Sequence, residues 1–247
     1  FAPDGIDPEY VFDQKTVKGR KTKFNPTTGT KSTFELKTIK GNRILVTTLT
    51  RQEAIETTQL EDGRLIITSA TVVQDKNRTT LLSLGKNTVD YIIYPSENGW
   101  KKQQASVEAT SPQVKWERIG GRHLCVKPNM TNLPHINDYF LNIRYTGDVA
   151  MAFIENDLVL DHFWHGKPWC ISMKRFTERL KQSKEMNFYF RPLAKDAPFI
   201  EMGGIPQEML PDFSQEDHIL EISNVELIPE YRIDIRLSAF AMRSKEK

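Results

Sequence analysis

The sequence predicts an all-β protein, built as two β-sandwich or jelly-roll domains over residues 1–111 and 112–247, with one short helix near 172–183. Three observations predict it. Apolar residues recur with a period of two nearly wherever a period is readable, the mark of strands with one face on a core. Turn residues punctuate these runs at short intervals. Helical spacing occurs in a single segment, so the alternating βα units of a parallel sheet or barrel are missing.

In the first half, Phe34 with Leu36, Ile44 with Val46, Leu65 with Ile67 and Tyr91 with Ile93 lie in short runs rich in β-branched residues. Asp62-Gly63, between Gln59-Leu60 and Leu65-Ile66-Ile67, signals a hairpin because glycine takes positive φ without steric cost. Lys40-Gly41-Asn42 and Glu155-Asn156-Asp157 are weaker forms of the same device. Lys101 to Glu108 is polar and the alternation lapses around Ala109-Thr110-Ser111-Pro112, which places a domain boundary near residue 111. Beyond it, Tyr139, Leu141, Ile143 and Tyr145 alternate with Phe140, Asn142 and Arg144. Met173, Phe176 and Leu180 stand at i, i+3 and i+7 of the expected helix, with Ser172 as its N-cap. Met186, Phe188 and Phe190 alternate with Asn187 and Tyr189. Leu220 with Ile222 and Val225 with Leu227 suggest two short strands, and Tyr231, Ile233, Ile235 and Leu237 form another.

Composition narrows the function classes. Hydrophobic residues at 38% and charged residues at 27% are ordinary for a globular chain. The 34 basic and 32 acidic residues nearly cancel, so a nucleic-acid partner, which calls for a basic patch, is not expected. No apolar run approaches the roughly 20 residues that cross a bilayer as a helix, so no membrane span is expected. The chain opens Phe1-Ala2-Pro3-Asp4 with no basic or apolar leader region after it, which reads as a processed or trimmed start. Two cysteines, Cys125 and Cys170, are too few for a disulfide framework or a thiolate metal site and read as free thiols. Serine-nucleophile elbows, phosphate-cradling glycine loops and Cys-x-x-Cys pairs are missing, so no cofactor is implied. Gly120-Gly121 and Gly203-Gly204 read as turns.

The densest unusual stretch runs from Asp157 to Trp169 and holds two tryptophans and two histidines. One reading is a sugar platform: Trp164 and Trp169 stack on a pyranose while Asp161, His162 or His165 bonds its hydroxyls. The favoured reading is a strand that ends in a Gly-Lys-Pro turn, its rings covering one end of a sandwich, because aromatic side chains mostly supply core area. His162 and His165 with Asp161 resemble part of a metal set. Residues i and i+3 of a strand point to opposite faces, so no metal site is expected unless the segment turns sharply. Retaining glycosidases pair carboxylates about 5–5.5 Å apart. Nothing singles out such a pair among the 32 acidic residues, and no catalytic residue is assigned.

Asn137-Asp138-Tyr139-Phe140-Leu141-Asn142-Ile143-Arg144-Tyr145-Thr146-Gly147-Asp148, followed by Val149 to Ile154, resembles the jelly-roll domain of bacterial family 35 β-galactosidases. The similarity continues through Leu158 to Asp161, Phe163-x-x-Gly166-Lys167-Pro168-Trp169 and Met173-Lys174-Arg175-Phe176. Asp4 to Asp13 resembles the segment that precedes this jelly roll in Bacteroides-type relatives. The resemblance implies galactose-binding-like sandwiches from the non-catalytic C-terminal region of such an enzyme. The family's catalytic glutamates lie on a (β/α)₈ barrel of about 250 residues, a pattern this chain does not carry. The implied partner is that catalytic barrel, and the implied location is the periplasm or cell surface. Two alternatives stand beside it. One is an autonomous carbohydrate-binding module that takes galactosyl oligosaccharides on Trp164 and Trp169, and the other is a free-standing β-sandwich glycosidase. His162 and Trp164-His165 stand where relatives more often carry Asp or Asn and Tyr-Asn. Asp148 is expected to accept backbone N–H groups at the strand end, and Gly147 to permit a bend.

Overall fold

The computed structural model describes residues 9–12, 15–18, 32–37, 43–75, 78–95 and 100–237. The opening residues 1–4, the turn expected at Lys40-Gly41-Asn42, and residues 4–8 and 13 of the Asp4 to Asp13 stretch lie outside them. The chain divides into two compact units whose segments interleave. One takes residues 1–77, 89–105 and 236–247, the other 78–88 and 106–235.

In chain order the elements are β1 (Glu9–Phe12), β2 (Lys15–Lys18), β3 (Ser32–Lys37), β4 (Arg43–Thr48), α1 (Arg51–Ile55), β5 (Thr57–Gln59), β6 (Leu65–Ile67), β7 (Thr71–Asp75), β8 (Arg78–Leu84), β9 (Thr88–Tyr94) and β10 (Gln103–Ser106). There follow β11 (Gln113–Ile119), β12 (His123–Asn129), β13 (Ile136–Thr146), β14 (Val149–Ile154), β15 (Asp157–Phe163), β16 (Trp169–Ser172), α2 (Thr177–Ser183), β17 (Met186–Phe190), β18 (Leu193–Ala194), α3 (Pro198–Glu201), β19 (His218–Ile219) and β20 (Glu221–Ile235). Strands dominate and the helices are short, the all-β class the alternation predicts.

In the first unit β2-β1-β3-β4 form one antiparallel sheet and β10-β9-β6-β5 another. The Asp62-Gly63 hairpin forms as the sequence indicates: Gly63 takes φ 82°, and the Leu60 N–H donates to the Arg64 carbonyl at 2.7 Å. The aligned amides let β5 and β6 pair from Thr57↔Ile67 to Gln59↔Leu65. Helix α1, too short to show a period, starts on a reciprocal cap in which the Thr50 side chain accepts from the Glu53 N–H and Glu53 accepts from the Thr50 N–H.

The second unit is a β-sandwich. One sheet runs β11-β12-β17-β14-β15, and in the other β16, β13, β20 and β8 are neighbours in that order. The chain crosses between the sheets at β12 to β13, β13 to β14, β15 to β16 and β16 to β17, and passes from β17 to β20 by way of the small β18-β19 sheet, the alternation of a jelly roll. Leu141, Ile143 and Tyr145 point from β13 into a core that Leu124, Val126, Ala150, Ala152, Phe188 and Phe190 fill from the opposite sheet. Trp169 meets Phe188 edge-on at 5.7 Å and Tyr145 meets Phe190 at 4.9 Å, so the two sheets interlock through aromatic pairs. Burying each phenylalanine contributes about 1.5–3 kcal/mol.

The structure refines the sequence reading in several details. Ile222, Val225 and Leu227 belong to one continuous strand, β20, which starts just after Leu220 and whose first part pairs with β13 and last part with β8. Pro229 falls one residue past the β8 pairing and takes the Gly85 N–H at 2.8 Å through its carbonyl, so a proline is accommodated inside the strand. Ser172 is not the helix cap. Its hydroxyl donates to Asp138 at 2.5 Å, and it is Asp138, on β13, that accepts the Lys174 N–H at 2.8 Å and so holds the 3₁₀ turn that leads into α2. Met173, Phe176 and Leu180 are all buried, as their spacing indicates. Finally, the polar stretch around Thr110 is tied into the sandwich, because Tyr231 Oη accepts the Thr110 N–H at 2.9 Å and donates to its carbonyl at 3.0 Å.

Two stability predictions follow from this packing. Phe188→Ala is expected to lower the unfolding free energy by about 3–5 kcal/mol in urea titration, the cost of a large cavity in a closed core. Glu155, in the β14–β15 turn, holds φ 56° without being glycine. Glu155→Gly is expected to raise stability by about 1 kcal/mol through relief of left-handed strain, and a drop in the urea midpoint would show that this turn is not strained.

Candidate functional site

The stretch from Asp157 to Trp169 folds as β15 followed by a turn at Gly166, whose φ is 83°. Strand alternation sends Asp161 and Phe163 to the outer face of the sheet and His162 inward; Trp164 follows it into the core. Trp164 and Trp169 are 5% and 6% exposed and belong to the sandwich core. This corrects their candidacy as a stacking platform, since neither ring offers a face to solvent. The inner side of Trp169 is occupied already: the His162 imidazole stacks on it at 5.1 Å with 9° between planes. The aromatic ring of this segment that faces solvent is Phe163, 68% exposed. A strict period-two reading of Asp161, His162, Phe163 and Trp164 would have indicated it.

His162 Nδ1 lies 2.7 Å from Tyr145 Oη. His165 is exposed, yet its ring comes within 5.3 Å of His162 because the chain turns after Phe163, which brings together two residues that a straight strand would hold apart. Asp161 remains on the other face, paired across the sheet with Met151. Among the described residues no group of three His, Cys, Asp or Glu side chains is placed to hold a metal ion. Cys125 is buried on one sheet and Cys170 exposed on the other, both as free thiols.

Around Phe163 the chain builds an open cleft of about 720 Å³. Antiparallel pairing brings the start of β12, the end of β17, the start of β14 and the end of β15 to one end of the sheet. Arg122, Arg191, Asp148 and Phe163 line the cleft from these ends, and Asp196, Phe199 and His218 close it from the β18–β19 side. The Asp148 carboxylate is paired with the Arg191 guanidinium, Nε lying at 2.6 Å, rather than with backbone N–H groups as the sequence suggests. The backbones are joined as well: the Asp148 N–H donates to the Arg191 carbonyl and the Arg191 N–H to the Val149 carbonyl, each at 2.8 Å. Gly147 relieves crowding here, since a Cβ would stand 3.0 Å from the Arg191 carbonyl oxygen and 3.2 Å from the Tyr145 ring. The sequence-derived candidates did not include Arg122, Arg191, Asp196 or His218. They are scattered along the chain and only sheet pairing collects them.

The outer face of this sheet carries apolar side chains among polar ones. Its registers align Ile119, His123, Tyr189, Met151 and Asp161 in one row, and Glu117, Cys125, Asn187, Phe153 and Leu158 in the next. Ile119 and Leu158 are 52% and 55% exposed, while Met151 and Phe153 are half-buried between them.

Burial pushes the His162 imidazole down to about 4; His165 adds to the shift and Asp161 opposes it. The folded state therefore holds His162 neutral where the unfolded chain, at an ordinary pKa near 6.5, binds a proton. Stability from this site is fully present above about pH 6.5 and is lost as pH falls toward 4, by on the order of 2 kcal/mol once partial exposure is allowed for. His162→Gln is expected to flatten the stability profile across that window, and a His162 ring that titrates near 6.5 by NMR would refute the assignment. Gly147→Ala is expected to cost about 1–3 kcal/mol, because the backbone of Arg191 must move to admit the methyl group. Compared with protein-family models, curated proteins and solved structures, the chain matches none.

Proposed function

We propose that the chain is a non-catalytic accessory segment of a β-galactosidase-like glycoside hydrolase, and that it packs against the catalytic barrel of its parent protein during carbohydrate degradation. The resemblance over residues 137–176 supplies the enzyme class, and the segment is read as exported to the periplasm or cell surface on the same ground. The observation that carries the docking role is the outer face of the β11-β12-β17-β14-β15 sheet. Met151, Phe153, Leu158, Ile119 and Tyr189 stand there where an antiparallel sheet facing water on one side normally alternates to polar residues. Apolar side chains grouped on a solvent-facing sheet in this way support an interaction surface. A sheet face of mixed apolar and polar side chains suits a protein partner, whose interfaces combine both.

Two measurements test the reading. The purified chain incubated with nitrophenyl galactosides is expected to release no product above buffer. Turnover that disappears on changing a single carboxylate would establish a free-standing glycosidase instead. The catalytic barrel encoded with this segment, produced separately, is expected to bind the chain in sedimentation velocity and to lose at least tenfold in affinity for Met151→Lys/Phe153→Lys. Equal affinity for that double variant would exclude this face as the docking surface.

A further inference from the structure

We propose that the cleft beside Phe163 is a binding site for a neutral carbohydrate chain, with Phe163 as its stacking platform and Arg122, Arg191 and Asp196 as its hydrogen-bonding groups. The proposal does not rest on docking: Phe163 projects at the end of the outer face, past Met151 and Phe153, and the cleft lies between it and the β18–β19 side. It also replaces the tryptophan platform, which the core has absorbed, with a ring that is free to stack.

Four features point to this ligand class. The cleft is open and about 720 Å³, inside the roughly 300–1,000 Å³ range of small-ligand sites. Its formal charges cancel: Arg122 and Arg191 stand against Asp148 and Asp196 in the lining, and Arg191 is paired with Asp148, so neither an anion nor a cation is selected by net charge. Its polar groups include both guanidinium donors and a carboxylate acceptor, the combination a hydroxyl can satisfy from both sides. A wholly apolar ligand would instead strip water from these groups without replacing the bonds, at a cost that opposes binding. The exposed Phe163 ring supplies the flat apolar surface on which the C–H face of a pyranose rests.

The Arg191 guanidinium is also held in advance. Asp148 has a side chain only 12% exposed and grips Nε and one Nη, while the Arg191 side chain as a whole is 61% exposed. Two of its donors are thus tied down and the rest are left toward the cleft, and little rotamer freedom is lost on binding. Asp148 acts here as a positioning residue, and Gly147 makes its approach to the Arg191 backbone sterically possible.

The test uses the full chain and isothermal titration with galactotetraose, cellotetraose and mannotetraose, alongside trigalacturonate and an unrelated proline-rich peptide. Saturable binding of at least one neutral tetrasaccharide is expected, with Phe163→Ala weakening it at least tenfold and Arg122→Ala or Asp196→Asn several-fold. All three residues are at the surface, and unchanged circular dichroism and melting temperature would show the variants folded. The proposal is overturned if no neutral tetrasaccharide binds, if Phe163→Ala leaves binding unchanged, or if trigalacturonate or the peptide binds more tightly than every neutral sugar. None of these outcomes depends on whether the chain associates with a catalytic barrel.

Discussion

The second unit depends on one constraint: two sheets, each apolar on alternate residues, must bury those faces against each other. Leu141, Ile143 and Tyr145 from one sheet meet Ala150, Ala152, Phe188 and Phe190 from the other. Small residues on β14 stand opposite large ones on β17, with Ala152 paired to Phe188 and Ala150 to Phe190, so the rings fill the space the alanines leave. Trp169 and His162 occupy the same interior near Tyr145. A histidine accepted into that layer stays neutral, stacked on an indole and bonded to a tyrosine hydroxyl, because burial disfavours its charged form.

The chain's sharpest local demand lies at the end of this core. Leaving β13, it must turn at Gly147 and re-enter the opposite sheet at Val149 while the Arg191 backbone passes close by. A residue without Cβ fits there without displacing the Arg191 carbonyl. Once the turn is made, Asp148 is nearly buried and requires a counter-charge, which Arg191 provides from the end of β17. A single steric constraint thereby orders a charged pair, the pair orders one wall of the cleft, and the exit of β15 places Phe163 on another. The packing of the interior and the composition of the candidate site are two consequences of the same crossing.

Much of the fold was legible because strand alternation is a local property of sequence. Tyr139 to Tyr145, Met186 to Phe190, the Asp62-Gly63 hairpin and the Met173–Phe176–Leu180 spacing each carry their own evidence within a few residues, and each is found where that evidence places it. Strands β8, β11 and β12 were harder to see. β8 is buried at three consecutive residues, Thr79, Thr80 and Leu81, and β11 is an edge strand exposed along most of its length, so neither alternates. Helix α1 was not read from the sequence, because its signal is a Thr-x-x-Glu cap at Thr50 and Glu53 rather than a period.

The candidate site was legible only in part. Residues 157–169 stood out by composition, and composition cannot tell a ring that stacks on a ligand from one that fills a core. Alternation brings Phe163 out and His162 in, but the burial of Trp164 and Trp169 follows from the sheet that covers them. Arg122, Asp148, Arg191, Asp196 and His218 span nearly one hundred positions and share no local pattern. The sequence by itself determined the all-β class, the strong strands and their inward faces, because those rest on a period of two that neighbouring residues carry. Tertiary structure alone decided which aromatic faces solvent and which charges meet, because strand order, crossover and register are agreements between distant segments.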